Sequence, residues 1–553
     1  MADGLSKIRN QIMWNRLIAV VEEQGQTLMR TAFSPIVREC GDLSACVFDL
    51  KGRMMAQAVT GTPGHVNSMN NAVGHFMRHF PLETMREGDI YMTNDPWMGT
   101  GHLNDWVVMT PCFRKGQLVA TFLCTAHITD IGGLSSGADG TDVLMEGLYI
   151  PMTKLADQGR INHTLVEMIK ANTRLPTDNE GDLYSLIACN DIGCRRLLEM
   201  MDEFGLDDLE ELANAICENS HAAVLAEIRK LPQGSWRSSM TIDGFESPIE
   251  YVAEMTISEN GIHVDYDGTS PVSRYGINVP FGYTLAYTCF GISCVVSPRI
   301  PNNGGSLAPI TASAPEGSIL NAAYPAPVSA RHVIGQMLPD VVFGCLRQVV
   351  PDRVPAEGTS SLWTLNLKGR RAGDNAGQRI FSIKQVTTGG AGARPMKDGL
   401  SATAYPSGVM GTPIEITESE SPLIFWRKEY RPDSGGPGQY RGGHGQVIEI
   451  ENREGVAFDI NAAHDRIVHA PRGNQGGADG ANGYLGVEGE GPIGSKGRQP
   501  ISAGGRLIVH SPGGGGIGDP RERDSSAVAE DVRDGLVTEE SAQRDYGVDS
   551  PTV

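Results

Sequence analysis

The sequence predicts an α+β protein of several packed domains, rich in β-structure, with mixed and antiparallel sheets, glycine-rich loops and flanking helices. Three observations carry that expectation. The chain has 553 residues, more than a single hydrophobic core serves. Glycine accounts for 68 of them, about 12 % against the roughly 7 % of average usage, which favours turns, tight loops and strands over long helices. Near residue 235 the apolar period changes from the three-and-four spacing of helices to the alternation of strands.

The first helix follows from Leu5, Ile8 and Ile12 and then Leu17, Val20, Val21 and Leu28, which share one apolar face, and it ends before Ser34-Pro35. "DLSACVFDLKGRMMAQA" reads as two strands joined at Lys51-Gly52. Helical spacing returns at about 67–79, 162–173, 180–203 and 207–230. From 235 a strand meander is punctuated by Asp243-Gly244, Asn260-Gly261 and Asp267-Gly268. After about 400 glycine dominates, in "DSGGPGQYRGGHGQ", "RGNQGGADGANGYLGVEGEGPIGSKG" and "SPGGGGIGDP". None matches a phosphate-cradling motif, so turns between short strands are expected. In the tail, Asp524 and Thr538 are candidate N-caps, and Gly535 and Gly547 candidate stops, for two short charged helices that must dock on this chain or a partner. The expected organisation is an α+β domain over 1–235, a β-rich domain over 236–400, a glycine-rich β domain over 401–519 and a helical tail over 520–553.

The formal charge of −20, with no dense Lys/Arg cluster, repels phosphate backbones and anionic lipid and argues against nucleic acid as a partner. The start lacks a signal peptide's apolar core and no stretch suits a membrane span, so a soluble, cytoplasmic protein is expected. The ten cysteines include no C-x-x-C pair, and they read as reduced, mostly buried thiols.

The stretch "TGHLNDWVVMTPCFRKGQLVATFLCTAHITDIGG", from Thr100 to Gly133, carries two His-x-x-Asp pairs, His102/Asp105 and His127/Asp130. With Lys115-Gly116 as a two-residue turn, Arg114 faces Gln117, Asp105 faces Ala126 and Asn104 faces His127. That register brings His127 beside the loop of His102 and Asp105, and Asp42 lies at the open end of the neighbouring hairpin. Two imidazoles and carboxylates at such a mouth suit Zn²⁺, Fe²⁺ or Mn²⁺. Spacing alone leaves a second reading open, polar groups capping a buried hairpin, since chance supplies about one His-x-x-Asp pair in a chain of this composition.

The runs "EGDIYMTNDPWMGTGHLNDW", "GHVNSMNNAV", "EGLYIPMTKL", "DSGGPGQYRGGHG" and "GIGDPRERD", with the closing "AVAEDVRDGLVTEESAQRDYGV", together resemble the hydantoinase B/oxoprolinase family over nearly the whole chain. The resemblance implies an obligate partner, a hydantoinase A type subunit that binds ATP and Mg, in a dimer of heterodimers or a larger assembly. It also implies one divalent metal, zinc, manganese or iron, held by Asp42, His102, Asp105 and His127. One departure is "GTGHLND" where the family's usual form is close to "GGTHLPD", which keeps both candidate ligands. His65 sits in a family motif, and Glu39 and Asp130 are further candidates for a general base or for a carboxylate orienting His127. The implied function is the metal-dependent subunit of an ATP-dependent amidohydrolase that opens a hydantoin or lactam after its carbonyl is phosphorylated by the partner. An acetone- or acetophenone-type carboxylase subunit, and a non-catalytic scaffold for the ATPase, are the alternatives.

Overall fold

The computed structural model describes residues 2–59, 62–134, 136–373 and 380–548, with side chains from residue 6. The Leu5 side chain and residues 549–553 of the expected tail lie outside it.

The N-terminal part is built on a seven-stranded antiparallel sheet. Its strands are β1 (Leu43–Phe48), β2 (Met54–Gln57), β3 (Ile90–Thr93), β4 (Asp105–Arg114), β5 (Gln117–His127), β6 (Thr153–Asp157) and β7 (Arg160–Ile161). Their order across the sheet is β2-β1-β5-β4-β3-β6-β7. Both faces are covered, which is why β1, β4 and β5 read as nearly unbroken apolar runs. On one face, Cys46, Phe48, Val107, Met109 and Leu123 pack with Val66, Met69, Val73 and Phe76 of the helix Pro63–His79. On the other, Val47, Ala120 and Phe122 meet Leu17, Val20 and Val21 of the helix Ala2–Thr31 and Leu197 and Met201 of the helix Pro176–Phe204.

The β4–β5 hairpin turns as expected at Lys115 and Gly116, whose φ values of 50° and 79° are the left-handed pair of a type I′ turn. Arg114 pairs with Gln117 and Phe113 with Leu118, but then Cys112 pairs with Ala120. Val119 is therefore the extra residue of a β-bulge, and beyond it every partner moves by one. Asp105 faces His127, and Trp106 faces Ala126, in place of the expected Asp105–Ala126 pairing. The β1–β2 connection also differs from the expected two-residue turn. Phe48 pairs with Met54, and the Asp49 carboxylate closes the longer loop by accepting the Lys51 and Arg53 N–H groups at 3.0 and 2.7 Å.

Strands Gly234–Ile242, Ile249–Ser258 and Gly261–Asp265 form the anticipated meander, and Ile310–Ser313 adds in parallel at its edge. Segment 236–400 also holds two buried helices that the β-rich reading omits, Phe281–Val296 and Leu338–Leu346. The first, "FGYTLAYTCFGISCVV", is apolar nearly all round, so it has no helical period to detect. Both pack between the meander and the helix Pro63–His79.

Two further sheets share a core of Trp363, Leu365, Leu367, Ile448, Ile450, Ile460, Leu507 and Val509. The glycine-rich segments between their strands are not mainly turns. They lie side by side as hydrogen-bonded extended backbone, with Gly443 N–H donating to Ala391 O (2.8 Å), Gly514 to Gly443 (2.9 Å), Gly436 to Gly514 (2.8 Å) and Gly516 to Ala478 (2.9 Å). A Cβ on Gly513 would stand 1.6 Å from Ser434 O, and one on Gly442 would stand 1.9 Å from Gly514 O. Glycine is required there because backbones touch, a demand that composition alone does not distinguish from turns.

The tail docks on this layer of its own chain. Asp524 and Thr538 cap its helices, and Gly535 and Gly547 adopt φ of 71° and 70° at their ends. The Asp531 carboxylate accepts from Arg441 (2.9 Å) and Arg523 (2.8 Å), and Arg523 also reaches Asp398 at 2.7 Å. All ten cysteines are free, and most are buried. No described helix is long and apolar enough to cross a membrane.

The two uses of glycine are separable by thermal unfolding. Gly390→Ala would place a Cβ 1.8 Å from Gly443 O and should prevent stable folding. Gly282→Ala meets nothing within 4 Å on the helix Phe281–Val296 and should leave the midpoint unchanged or raise it, by about 0.5–1 kcal/mol of helix propensity.

Candidate metal centre

At the open end of the β4–β5 hairpin the bulge sets Asp105 opposite His127, and the preceding loop supplies His102. The β1 strand lies alongside, with His127 N–H donating to Asp42 O at 3.0 Å. The helix Pro63–His79 contributes His65 from its first turn, where Thr62 caps the backbone of the same residue. All five side chains are buried or nearly so.

Asp105 is the hub. Its Oδ1 lies 2.7 Å from His102 Nε2 and 3.3 Å from His127 Nδ1. Its Oδ2 accepts from Thr100 Oγ1 (2.8 Å) and Arg331 (2.5 Å), and His65 Nε2 stands 3.0 Å away. Burial alone would raise this carboxyl, but His102, His65 and Arg331 outweigh it and hold Asp105 well below the usual carboxylate range. His102, Asp105 and His127 each present a ligand atom within 4.8 Å of the other two. Asp42 stays outside that trio. Its carboxylate lines the same small cavity, 3.8 Å from His65 Nδ1, and burial raises it above the usual range.

The remaining sequence candidates divide. His65 is in the site, between the two carboxylates. Asp130 is not: its oxygens accept from Arg174 (2.9 and 3.1 Å) and from Gly132 N–H (2.8 Å), so it clamps the loop after β5 and does not orient His127. Glu39 pairs with Arg38 at 2.8 Å, away from the cavity. Three groups escaped the sequence reading. Arg331 packs its guanidinium over the Tyr283 ring at 4.1 Å and also donates to Thr100 O. Lys384, from the strand Ile380–Gln385, places its amine 2.6 Å from His127 Nε2. Ser329 presents its carbonyl 2.9 Å from His102 Nδ1. Each comes from a distant segment with no local signature, and only Arg331-His332, a basic pair inside "PAPVSARHVIGQM", stands out in the sequence.

The proton count bears on whether an ion fits. Burial and Arg331 lower His102 to about 4, so its imidazole is neutral and carries one N–H. Both of its nitrogens nevertheless face oxygens, Ser329 O and Asp105 Oδ1. With the proton on Nδ1 toward Ser329, a lone pair on Nε2 meets a carboxylate lone pair at 2.7 Å, an arrangement that a cation between them makes favourable. At His127 an ammonium on Lys384 donates to Nε2, whereas a neutral amine accepts from it and leaves Nδ1 bare toward Asp105; burial lowers Lys384 to about 8. The donor set therefore fits a divalent ion.

The sequence profile of the hydantoinase B/oxoprolinase family matches residues 6–520. The chain belongs to that family. A relative from Pseudomonas sp. strain NS671, named as the B-type subunit of a D-/L-hydantoinase, is 30 % identical to it, over 98 % of this chain and 95 % of the relative. The crystal structure of an ATP-dependent caprolactamase from Pseudomonas jessenii superposes with a TM-score of 0.87 at 26 % identity, covering 99 % of this chain and 96 % of the other. A nucleotide-free acetone carboxylase structure also gives 0.87, at 20 % identity over 98 % of this chain and 80 % of the other, a likeness of fold.

Two outcomes follow from the geometry of this family member. Asp105→Ala leaves the buried Arg331 without its carboxylate and should cost about 3–5 kcal/mol, whereas Asp105→Ala/Arg331→Met should lose less than the single variant; denaturant titration measures both. Behind Ser329, Glu146 Oε1 accepts the Val328 and Ser329 N–H groups at 2.7 and 2.8 Å, and burial raises its carboxyl from 4.5 to about 8. The folded state holds this proton more tightly than the unfolded one, so its stabilisation is full below the unfolded value and fades as pH rises to about 8. Glu146→Gln should flatten that part of the stability profile, read from unfolding midpoints between about pH 5 and about pH 8.

Proposed function

We propose that this chain is the metal-dependent B-type subunit of an ATP-dependent amidohydrolase that opens a cyclic amide or ureide, working with an ATP-binding partner subunit. The observation that carries the reading is the buried trio of His102, Asp105 and His127, in which a neutral imidazole faces two oxygen acceptors with one proton. Relatives named as one subunit of a hydantoinase and as a caprolactamase support the reaction class and the need for a partner.

In this reading His102, Asp105 and His127 hold one zinc, manganese or iron ion, with Asp42 across the same cavity. Such an ion supplies Lewis acidity, which makes water a nucleophile near neutral pH. The protein groups do the positioning. Ser329 O holds the proton on His102 Nδ1 and so directs Nε2 inward. Thr100 and Arg331 occupy Asp105 Oδ2 and leave Oδ1 to face the imidazoles. His65 stands between the two carboxylates, its Nε2 3.0 Å from Asp105 and its Nδ1 3.8 Å from Asp42. Lys384 adds a positive charge at the cavity wall, where a carbonyl or carboxylate oxygen gains from it. An unstrained amide needs activation before water attacks it, and the partner's ATP supplies that by phosphorylating the carbonyl oxygen.

The test is co-purification with the partner subunit, followed by metal analysis and by assays of phosphate release and ring opening on lactams and hydantoins, with and without bicarbonate. His102→Ala and His127→Ala should each lose the metal and product formation, while some substrate-dependent ATP consumption persists on the other subunit. Asp130→Asn should keep its metal and instead lower the unfolding midpoint, because it loosens Arg174. Full metal occupancy in both histidine variants would overturn the assignment. Ketone turnover that requires bicarbonate, in place of ring opening, would move the chain to carboxylation.

A further inference from the structure

Glu146 is only 1 % exposed, yet its Oε2 has no hydrogen-bond partner among the described residues. Its hydrogen bonds run through Oε1, which accepts the N–H groups of Val328 (2.7 Å) and Ser329 (2.8 Å). The backbone beside it is tied to the same segment. Glu146 closes the short helix Val143–Glu146, whose Val143 N–H donates to Pro325 O at 3.0 Å. The stretch from Pro325 to Ser329 is thus held at both ends.

That stretch carries the Ser329 carbonyl to the metal centre, 2.9 Å from His102 Nδ1. The cavity bounded there by Asp42, His65, His102 and His127 measures ≈ 30 Å³, room for a water or an ion, so the nitrogen that His102 turns inward decides what can bind. A metal-binding imidazole is neutral and carries one proton, and two tautomers compete for it. With the proton on Nε2, His102 donates to Asp105 Oδ1 at 2.7 Å, offers an ion no lone pair on that side, and sets a bare Nδ1 against the lone pairs of Ser329 O. With the proton on Nδ1, the Ser329 bond forms and Nε2 can ligate. The bond to the ionised Asp105 is charge-assisted and the stronger of the two. Ligation therefore depends on a Ser329 carbonyl that is fixed in place, because one able to turn away neither penalises the first tautomer nor rewards the second.

We infer that Glu146 is a positioning residue for His102: by holding the Val328 and Ser329 N–H groups it keeps Ser329 O against Nδ1, and so keeps Nε2 available to the ion. The inference rests on the reading of His102 as a metal ligand and extends it to a buried carboxyl that acts only through the Ser329 peptide.

Two measurements on the full chain test this. Competition with a chelator gives the Zn²⁺ affinity, and NMR of the zinc-loaded, ¹⁵N-histidine-labelled chain gives the His102 Nδ1–H signal, which a bond to Ser329 O shifts downfield. Glu146→Ala and Glu146→Asp, which remove Oε1 or draw it back by a methylene, should weaken Zn²⁺ binding about 10- to 100-fold and move that signal upfield. Glu146→Gln presents an oxygen at the same reach and should keep the wild-type affinity and signal. Should Glu146→Ala fail to fold, the Asp and Gln variants decide. A purely structural role would lower the unfolding midpoints of the Ala and Asp variants but leave the signal in place, and that result overturns the inference. So does a Gln variant as impaired as Glu146→Asp. If Zn²⁺ binds the wild type and is lost from His102→Ala, while no Glu146 variant changes affinity or signal, the positioning role falls and the metal reading stands. A wild-type chain that binds no Zn²⁺, Mn²⁺ or Fe²⁺ removes the metal reading itself, and the inference with it.

Discussion

One buried carboxylate, Asp105, organises the site. A lone ionised carboxylate in the interior is strongly unfavourable, and this one is satisfied by groups from four separate parts of the chain: Thr100 and His102 from its own loop, His127 from the next strand, His65 from a helix and Arg331 from a segment more than two hundred residues on. Because Oδ2 is saturated by neutral and cationic donors, Oδ1 remains directed at two imidazoles. Arg331 in turn is fixed by the Tyr283 face and by Thr100 O. Moving any of these segments would strand a charge, so the site is rigid for the same reason that it is polar.

How far the sequence discloses this depends on the distance over which each interaction acts. The hairpin, its turn and the helix caps are local, and hydrophobic period and turn chemistry disclose them. The bulge at Val119 is local too, but no residue type demands it, and it converts an Asp105–Ala126 pair into an Asp105–His127 pair. Lys384 has no local mark, and Arg331, though conspicuous beside His332, does not disclose its role, because their partners lie 257 and 226 residues away. The helix Phe281–Val296 hides for another reason, since its residues are apolar nearly all round and so lack the periodicity by which helices are read. Asp130 misleads in the opposite sense: its spacing from His127 repeats that of Asp105 from His102, yet Arg174 claims it.

The glycine-rich layer bears on the candidate site although it contributes no side chain to the His102, Asp105 and His127 trio. Lys384 lies on the strand Ile380–Gln385, and a few residues later the chain enters the layer at Gly390, whose N–H donates to Pro512 O. The strand is also held by pairing of Lys384 with Asn366 on the strand Leu365–Arg370. Close backbone packing permits little sliding, so the layer fixes where the Lys384 amine meets His127. Further along, Cys40 Sγ meets Thr412 Oγ1 at 3.1 Å and Met410 N–H donates to Cys40 O at 2.8 Å, tying the loop before β1 to the same region.

The histidines and carboxylates thus come from the N-terminal sheet and the segments beside it, whereas the two cations facing them come from beyond residue 330. Before those segments dock, the sheet alone would gather Asp42 and Asp105 without Arg331 or Lys384, and two buried like charges repel. After docking, the cations balance the carboxylates and the cavity closes to the size of a single small species. On the proposed reading, an ion that binds only the assembled state would stabilise it by mass action and so link metal occupancy to the docking of these segments. On this view the β-bulge, the Arg331 ion pair and the glycine layer are parts of one device, which holds two imidazoles and a carboxylate oxygen within 4.8 Å of one another.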